Sequence, residues 1–258
     1  MWTISSEAPV KWRTFDGQAK TYQTKNGSQF IKGEFLMNID YQNSIISSQV
    51  LGDGSLQGRR LVIYHGINQE EYVHWKKQLF ESIGFSTTEI KYRSRNSTFG
   101  QQTIVGFTTS NDQIVTFNHC TPVQLVSMLE PLGLLLWWLD DGSMNIHEKR
   151  NGVSVSRSGH LNTHRFIYTV QQQIAQCLVD KFQLYTKIHL DSGKKIDGTI
   201  RIPYYRLYLN AMALRNLIDH VRDYIQFVPS SMLYKLDMDY RPTRLKTSLA
   251  YATNYNFK

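Results

Sequence analysis

Two acidic residues, Asp53 and Asp141, stand at equivalent points of a repeated pattern. In each copy an apolar helical run ends in an acid followed by Gly, Ser and a hydrophobe. The copies are Ile46-Ser-Ser-Gln-Val-Leu-Gly-Asp53-Gly54-Ser55-Leu56 and Leu134-Leu-Leu-Trp-Trp-Leu-Asp-Asp141-Gly142-Ser143-Met144. A single Asp-Gly at a helix end is usually a cap or a turn, and the recurrence is what suggests chemistry. Two carboxylates brought together offer hard oxygen ligands, which favour Mg2+, with Mn2+ as a substitute. In a basic protein such a site suits phosphodiester hydrolysis, where divalent ions stabilise the pentacovalent phosphate, the attacking water and the leaving oxygen. Asp140, adjacent to Asp141, is expected to point elsewhere on its helix and to be secondary.

The elements that must position these acids repeat as well. A helix signal from about residue 43 stops at Gly52-Asp53-Gly54, and residues 56–67 follow as a strand or hairpin. A second helix starts near Gln69 with Glu70 and Glu71 at its positive end. Its apolar stripe is Tyr72, Trp75, Leu79, Phe80 and Ile83, and Gly84 closes it. Strands at about 89–95 and 103–109 and a short helix at 121–129 complete the first unit. The second begins with the apolar helix 131–141 and strand-like material to about 163. Then come a helix at 169–182, strands at 184–190 and 199–209, and a helix from Asn210 to about 224. Each half reads α-β-β-α-β-β-α, so the expected fold is α+β, built from two pseudo-symmetric halves. Their bounds are 43–130 and 131–258, after a polar N-terminal extension, 1–42. The helix 131–141 has no solvent side and must be buried. Small residues Ser47, Ser48 and Gly133 would let the two apolar helices approach closely.

Composition bounds the rest. The chain has 258 residues, 41% of them hydrophobic, enough for a substantial core. Its 29 basic and 21 acidic side chains leave +8, with a pI near 9.4, a balance suited to a polyanionic partner. The two cysteines, Cys120 and Cys177, support neither a disulfide framework nor a zinc site, so a reducing, intracellular setting is expected. No apolar stretch is long enough for a membrane span, and the N-terminal residues lack a signal-peptide pattern.

The two Asp-Gly-Ser helices resemble the LAGLIDADG homing endonucleases, specifically their monomeric two-motif branch. The segment Phe227-Val-Pro229-Ser-Ser-Met232-Leu-Tyr234-Lys235-Leu236 resembles the stretch after that family's last helix. The resemblance implies Asp53 and Asp141 as metal ligands and catalytic acids, and Lys235 as a basic group that polarises the scissile phosphate or the attacking water. It also implies that two four-stranded antiparallel sheets form a saddle over double-stranded DNA, and that one chain acts as a monomer on a long asymmetric target in a bacterial, phage or organellar setting.

DNA contact should then fall to the strands. Strict alternation in Glu89-Ile-Lys91-Tyr-Arg93-Ser-Arg95 puts Lys91, Arg93 and Arg95 on one face. Arg59, Lys187, Arg201 and Arg206 are further candidates whose strand registers the sequence leaves open. One departure stands out: no Lys or Arg lies between Arg95 and Lys149, so the basic residue the family carries in its first half lacks a counterpart. His119 is the substitute considered; without one, the two strands would be cut unequally or only nicked. The alternative on the same scaffold is a catalytically weak nucleic-acid binder, either an intron RNA maturase or a DNA-binding regulator.

Overall fold

The computed structural model describes residues 38–97, 100–148, 155–191 and 202–238; Arg201 and most of the N-terminal extension lie outside them. Helix α1 (Ile39–Leu51) begins four residues before the sequence signal suggested, because Asn38 caps it by accepting a hydrogen bond from the Asp40 amide. It leads into β1 (Gly54–Gln57), β2 (Arg60–Gly66) and α2 (Glu70–Ser82). Then follow β3 (Ser86–Thr87), β4 (Lys91–Ser97), β5 (Gly100–Ser110), a 3-10 segment at Asp112–His119 and α3 (Pro122–Ser127). Thr121 and Gln124 cap α3 reciprocally, and Pro122 occupies its first turn.

The second half repeats the order with α4 (Pro131–Asp141), β6 (Gly142–Glu148), β7 (Val155–Leu161), α5 (Tyr168–Phe182), β8 (Thr186–Asp191), β9 (Tyr204–Leu209) and α6 (Ala211–Ile225). A 3-10 segment, Ser230–Lys235, follows. Both sheets are antiparallel. Their strand orders match, β1-β2-β5-β3 and β6-β7-β9-β8. The first sheet has five strands because β3 and β4, which together take the place of β8, both pair with β5.

One core serves both halves, and the α1–α4 contact lies within it. Every residue of α4 from Leu132 to Leu139 is buried, including both tryptophans. At about 1.5–3 kcal/mol for each large apolar side chain, this helix is a principal source of stability. Glycine makes the contact close: a Cβ on Gly133 would lie 2.1 Å from Ser44 Oγ and 2.7 Å from the Ser44 carbonyl oxygen. Near the helix ends, a Cβ on Gly52 would meet Asp140 Oδ2 at 2.6 Å.

Each sheet leaves one face uncovered by helices. On the first, Leu61, Ile63 and His65 point inward, so Arg60, Val62 and Tyr64 point out. The β2-β5-β4 register puts Lys91, Arg93 and Arg95 on that same outer face, and the Arg93 guanidinium lies 4.9 Å from the Tyr64 ring centre. Tyr92 turns the other way and donates to Glu70 on α2.

Candidate active site at the crossing of two helices

Both motif helices end where they cross, and glycine follows the acid for the same reason in each. The chain leaves the helix so close to it that a Cβ on Gly54 would lie 2.7 Å from the Gln49 carbonyl oxygen. On Gly142 it would lie 2.3 Å from that of Trp138. Asp53 and Asp141 thereby leave their helices at this crossing, near enough for the Asp53 charge to act on Asp141.

Burial raises the Asp53 carboxyl to about 6, helped by the negative charge of Asp140. Burial likewise raises Asp141 to about 7, with Asp53 the next contributor. The charge of Asp53 thus acts on Asp141, while Asp140 is the carboxylate that acts on Asp53. Asp53 keeps 43% of its side chain exposed, so the pair is open to solvent on one side.

Asp140 lies at the centre of the site, contrary to the expectation from its neighbour's direction. Its Oδ1 accepts from Lys76 Nζ at 2.5 Å and from the Tyr72 hydroxyl at 2.8 Å, and its Oδ2 faces the Asp53 amide at 3.5 Å. Both members of the Lys76–Asp140 pair are fully buried. Burial is the largest influence and works to raise the Asp140 carboxyl, but the Lys76 charge, His65 and the hydrogen bonds from Lys76 and Tyr72 together lower it. His65, from β2, completes the group. Burial and the adjacent Lys76 depress it to about 3, so the ring is neutral. Its Nε2 accepts from Lys76 Nζ at 3.0 Å, which leaves the proton on Nδ1, 3.2 Å from Gln69 Oε1 and 3.4 Å from Asp53 Oδ2.

Lys76 was missed because it follows no motif, yet the signal exists. It lies one turn beyond Tyr72 and one before Leu79 and Phe80, on the stripe that the apolar spacing marks as buried. A lysine there needs a buried acid.

Lys235 is brought in by the 3-10 segment after α6. Its Nζ donates to the carbonyl oxygens of Leu139, at 2.6 Å, and Asp140, at 3.3 Å. Trp138 Nε1 donates to the Lys235 carbonyl oxygen at 2.8 Å, fixing the backbone. The ammonium thus sits at the negative end of α4, where cations are favoured. Burial lowers its pKa while Asp140, Asp53 and Asp141 oppose the shift. Arg165, in the β7–α5 connection, also reaches the site: its charge acts on both Asp53 and Asp141. His119 is exposed at the end of its 3-10 segment.

The donor set fits a divalent cation. Ligand atoms of Asp53, His65 and Asp140 lie within 4.8 Å of one another. In that trio, however, Lys76 already satisfies Asp140 and His65 Nε2. Asp53 is the acid of the trio with charge to offer, and Asp141, raised by burial and by Asp53, lies near it; a hard cation would relieve the desolvation of both.

The remaining sequence candidates fall into distinct places. Lys91, Arg93 and Arg95 are exposed on β4, and Lys187 is exposed on β8. Arg206, on β9, is tied to Asp191 at 3.3 Å. Arg59 lies in the β1–β2 turn, paired with Asp112. Among the described residues, the outer face of the second sheet sets an aromatic group beside Lys187 and Arg206: His189 stacks on Tyr208 with ring centres 4.2 Å apart, and His160 tilts against Tyr208 at 5.2 Å.

Two motif helices crossing at their acids, each followed by an antiparallel sheet of the same strand order, define a two-motif α+β protein. The chain matches the family described as the LAGLIDADG DNA endonuclease family over residues 43–217, and it belongs to that family. It is 25% identical over 204 residues to the cytochrome b mRNA maturase bI2 of Debaryomyces hansenii, covering 72% of this chain and 70% of the maturase. It is 24% identical over 147 residues to RecA of Mycobacterium shimoidei, covering 53% of this chain; it spans about a third, 34%, of that RecA. Among solved structures, the homing endonuclease I-WcaI bound to its DNA recognition sequence shares the fold. The TM-score is 0.58 at 16% identity, covering 78% of this chain and 88% of that one. Among the described residues, no helix is long and apolar enough to cross a membrane.

Proposed function

We propose that this chain is a site-specific, divalent-metal-dependent DNA endonuclease that acts as a monomer on a long asymmetric duplex. One observation carries the reading: the two motif helices meet at their acidic ends, where the Asp53 amide lies 3.5 Å from Asp140 Oδ2 and a Cβ on Gly52 would touch that carboxylate, beside the buried Lys76–Asp140 pair. Bound Mg2+, or Mn2+ in its place, supplies charge to the scissile phosphate and lowers the pKa of the attacking water. Asp53 and Asp141 would hold the cation where the two motif helices end. Lys235, pinned at the end of α4, stabilises negative charge building on the phosphate oxygens. The Lys76–Asp140–His65 network keeps the helix crossing rigid and its charges balanced beneath the acids. Lys91, Arg93 and Arg95 on the first sheet, and Lys187 on the second, face the duplex, and Arg59, Arg201 and Arg206 are further contacts in this reading.

The test is cleavage of a plasmid pool bearing randomised duplex inserts, with Mg2+ and with EDTA. The wild-type protein should linearise a subset of plasmids in Mg2+ only. Asp53→Asn and Asp141→Asn should each lower the rate by at least 10²-fold or so while leaving binding in EDTA near that of the wild type. Unchanged behaviour of both variants would sink the proposal.

The similarity to a yeast mRNA maturase favours a second reading, RNA binding on the same scaffold. It is distinguished by tight, metal-independent binding of a structured intron RNA, with no DNA cut under any divalent ion.

A further inference from the structure

The pseudo-symmetry of the fold locates the position where a first-half base would stand. Pro122 opens α3 as Pro229 precedes the last 3-10 segment, and counting on from the two prolines brings Met128 to the place of Lys235. Met128 has no charge; its Sδ accepts from Ser47 Oγ on α1 at 3.5 Å. The end of α1 nevertheless holds a cation. Aligning Asp53 with Asp141 makes Leu51 the counterpart of Leu139, whose carbonyl receives Lys235. Arg165 Nη2 donates to the Leu51 carbonyl oxygen and, at 2.6 Å, to that of Val50. It reaches there from the β7–α5 connection of the other half.

The two cations are thus placed alike. Each is tethered to the last-turn carbonyls of one motif helix, next to that helix's terminal acid. Both recorded bonds use Nη2, and a guanidinium carries five N–H donors in a planar fork suited to a phosphate. Arg165 is exposed, as a group meeting DNA must be.

We infer that Arg165 is the second basic group of the nuclease site, serving the scissile phosphate on the strand opposite the one served by Lys235. This rests on the endonuclease reading. Arg165 stabilises charge on the non-bridging oxygens of its phosphate. The lack of any Lys or Arg between Arg95 and Lys149 then does not imply a nicking enzyme. Capping of α1 alone would predict a change in stability that touches both cuts equally, and the strand ratio separates the two roles.

The experiment uses a supercoiled plasmid carrying a duplex that the wild-type protein selects from a randomised library, and a linear fragment of the same duplex end-labelled on one strand or the other. The wild type should yield linear product. Arg165→Gln should accumulate nicked circles, with one strand cut near the wild-type rate and the other slowed on the order of 10²-fold. Lys235→Met should slow the opposite strand. Arg165→Lys should recover part of the slow cut and, should Arg165→Gln fail to fold by thermal melting, must itself slow that one strand. Equal slowing of both strands, or of neither, overturns the assignment. A wild-type protein that binds the selected duplex but cuts nothing overturns the nuclease reading, and this inference with it.

Discussion

At the scale of single residues, Asp53 and Asp141 make a pH prediction of definite sign. In the unfolded chain their carboxyls release protons near 3.8, whereas in the fold without a divalent ion they hold them to about 6 and about 7. Folding therefore takes up protons between those values. The stability these two groups contribute is fully present below the unfolded value and is lost as pH rises through about 6 and then about 7. In EDTA, the melting temperature should fall across that window, and Mg2+ should restore it more strongly at the alkaline end. Asp53→Asn with Asp141→Asn should flatten the slope and abolish the Mg2+ shift; an unchanged slope in the double variant would refute the assignment. The Lys76–Asp140 pair behaves differently because its charges are already matched. Lys76→Met strands a buried carboxylate and should cost about 3–5 kcal/mol in denaturant unfolding, most of it recovered by adding Asp140→Ala. A cost below about 1 kcal/mol would mean that the pair is not closed in solution.

Elements explain why some of this was legible in the sequence and some was not. The helix stops at Gly52-Asp53-Gly54 and Asp141-Gly142 were visible because glycine is needed where the chain leaves the helix. The alternation of β4 was visible because strand faces have period two. Hidden from the sequence were contacts joining distant positions: Lys76 on Asp140, Trp138 on Lys235, and Arg165 on Val50 and Leu51. No local pattern encodes a partner on another element. The helix contact itself was half legible. Gly133 does admit α1, but its partner is Ser44; Ser47 and Ser48 instead spend their hydroxyls on Met128 and on the Ile45 carbonyl. Gly133→Ala should therefore push the helices apart, costing about 1–3 kcal/mol, and separate the two acids. Cleavage should fall by more than the stability loss explains, with partial recovery on adding Ser44→Gly, in paired kinetic and unfolding measurements. Wild-type kinetics in Gly133→Ala would show that the spacing is not critical.

Over the whole molecule, two sheets of matching topology present unlike outer faces, and the difference should appear in how binding responds to salt. The first carries Lys91, Arg93 and Arg95 in one exposed row, with Arg93 held over Tyr64. The second sets the aromatic group of His160, His189 and Tyr208 beside exposed Lys187, and its Arg206 is already neutralised by Asp191. A free cation on a phosphate releases a counterion when DNA binds, so its removal should lessen the slope of log affinity against log salt by about 1. Lys91→Ala, Arg95→Ala and Lys187→Ala should each produce that change on a selected duplex in EDTA. Arg206→Ala should alter the slope far less, because breaking its pair with Asp191 exposes an acid in place of a free cation. Stacking surfaces and side-chain hydrogen bonds contribute to base discrimination without a counterion term. His189→Ala and Tyr208→Ala should accordingly leave the slope intact and relax sequence preference over the half-site beneath the second sheet. Equal slope changes for Arg206 and Lys187, measured by fluorescence anisotropy across a salt series, would show that the Asp191 pair opens on binding and that both faces engage DNA by charge alone.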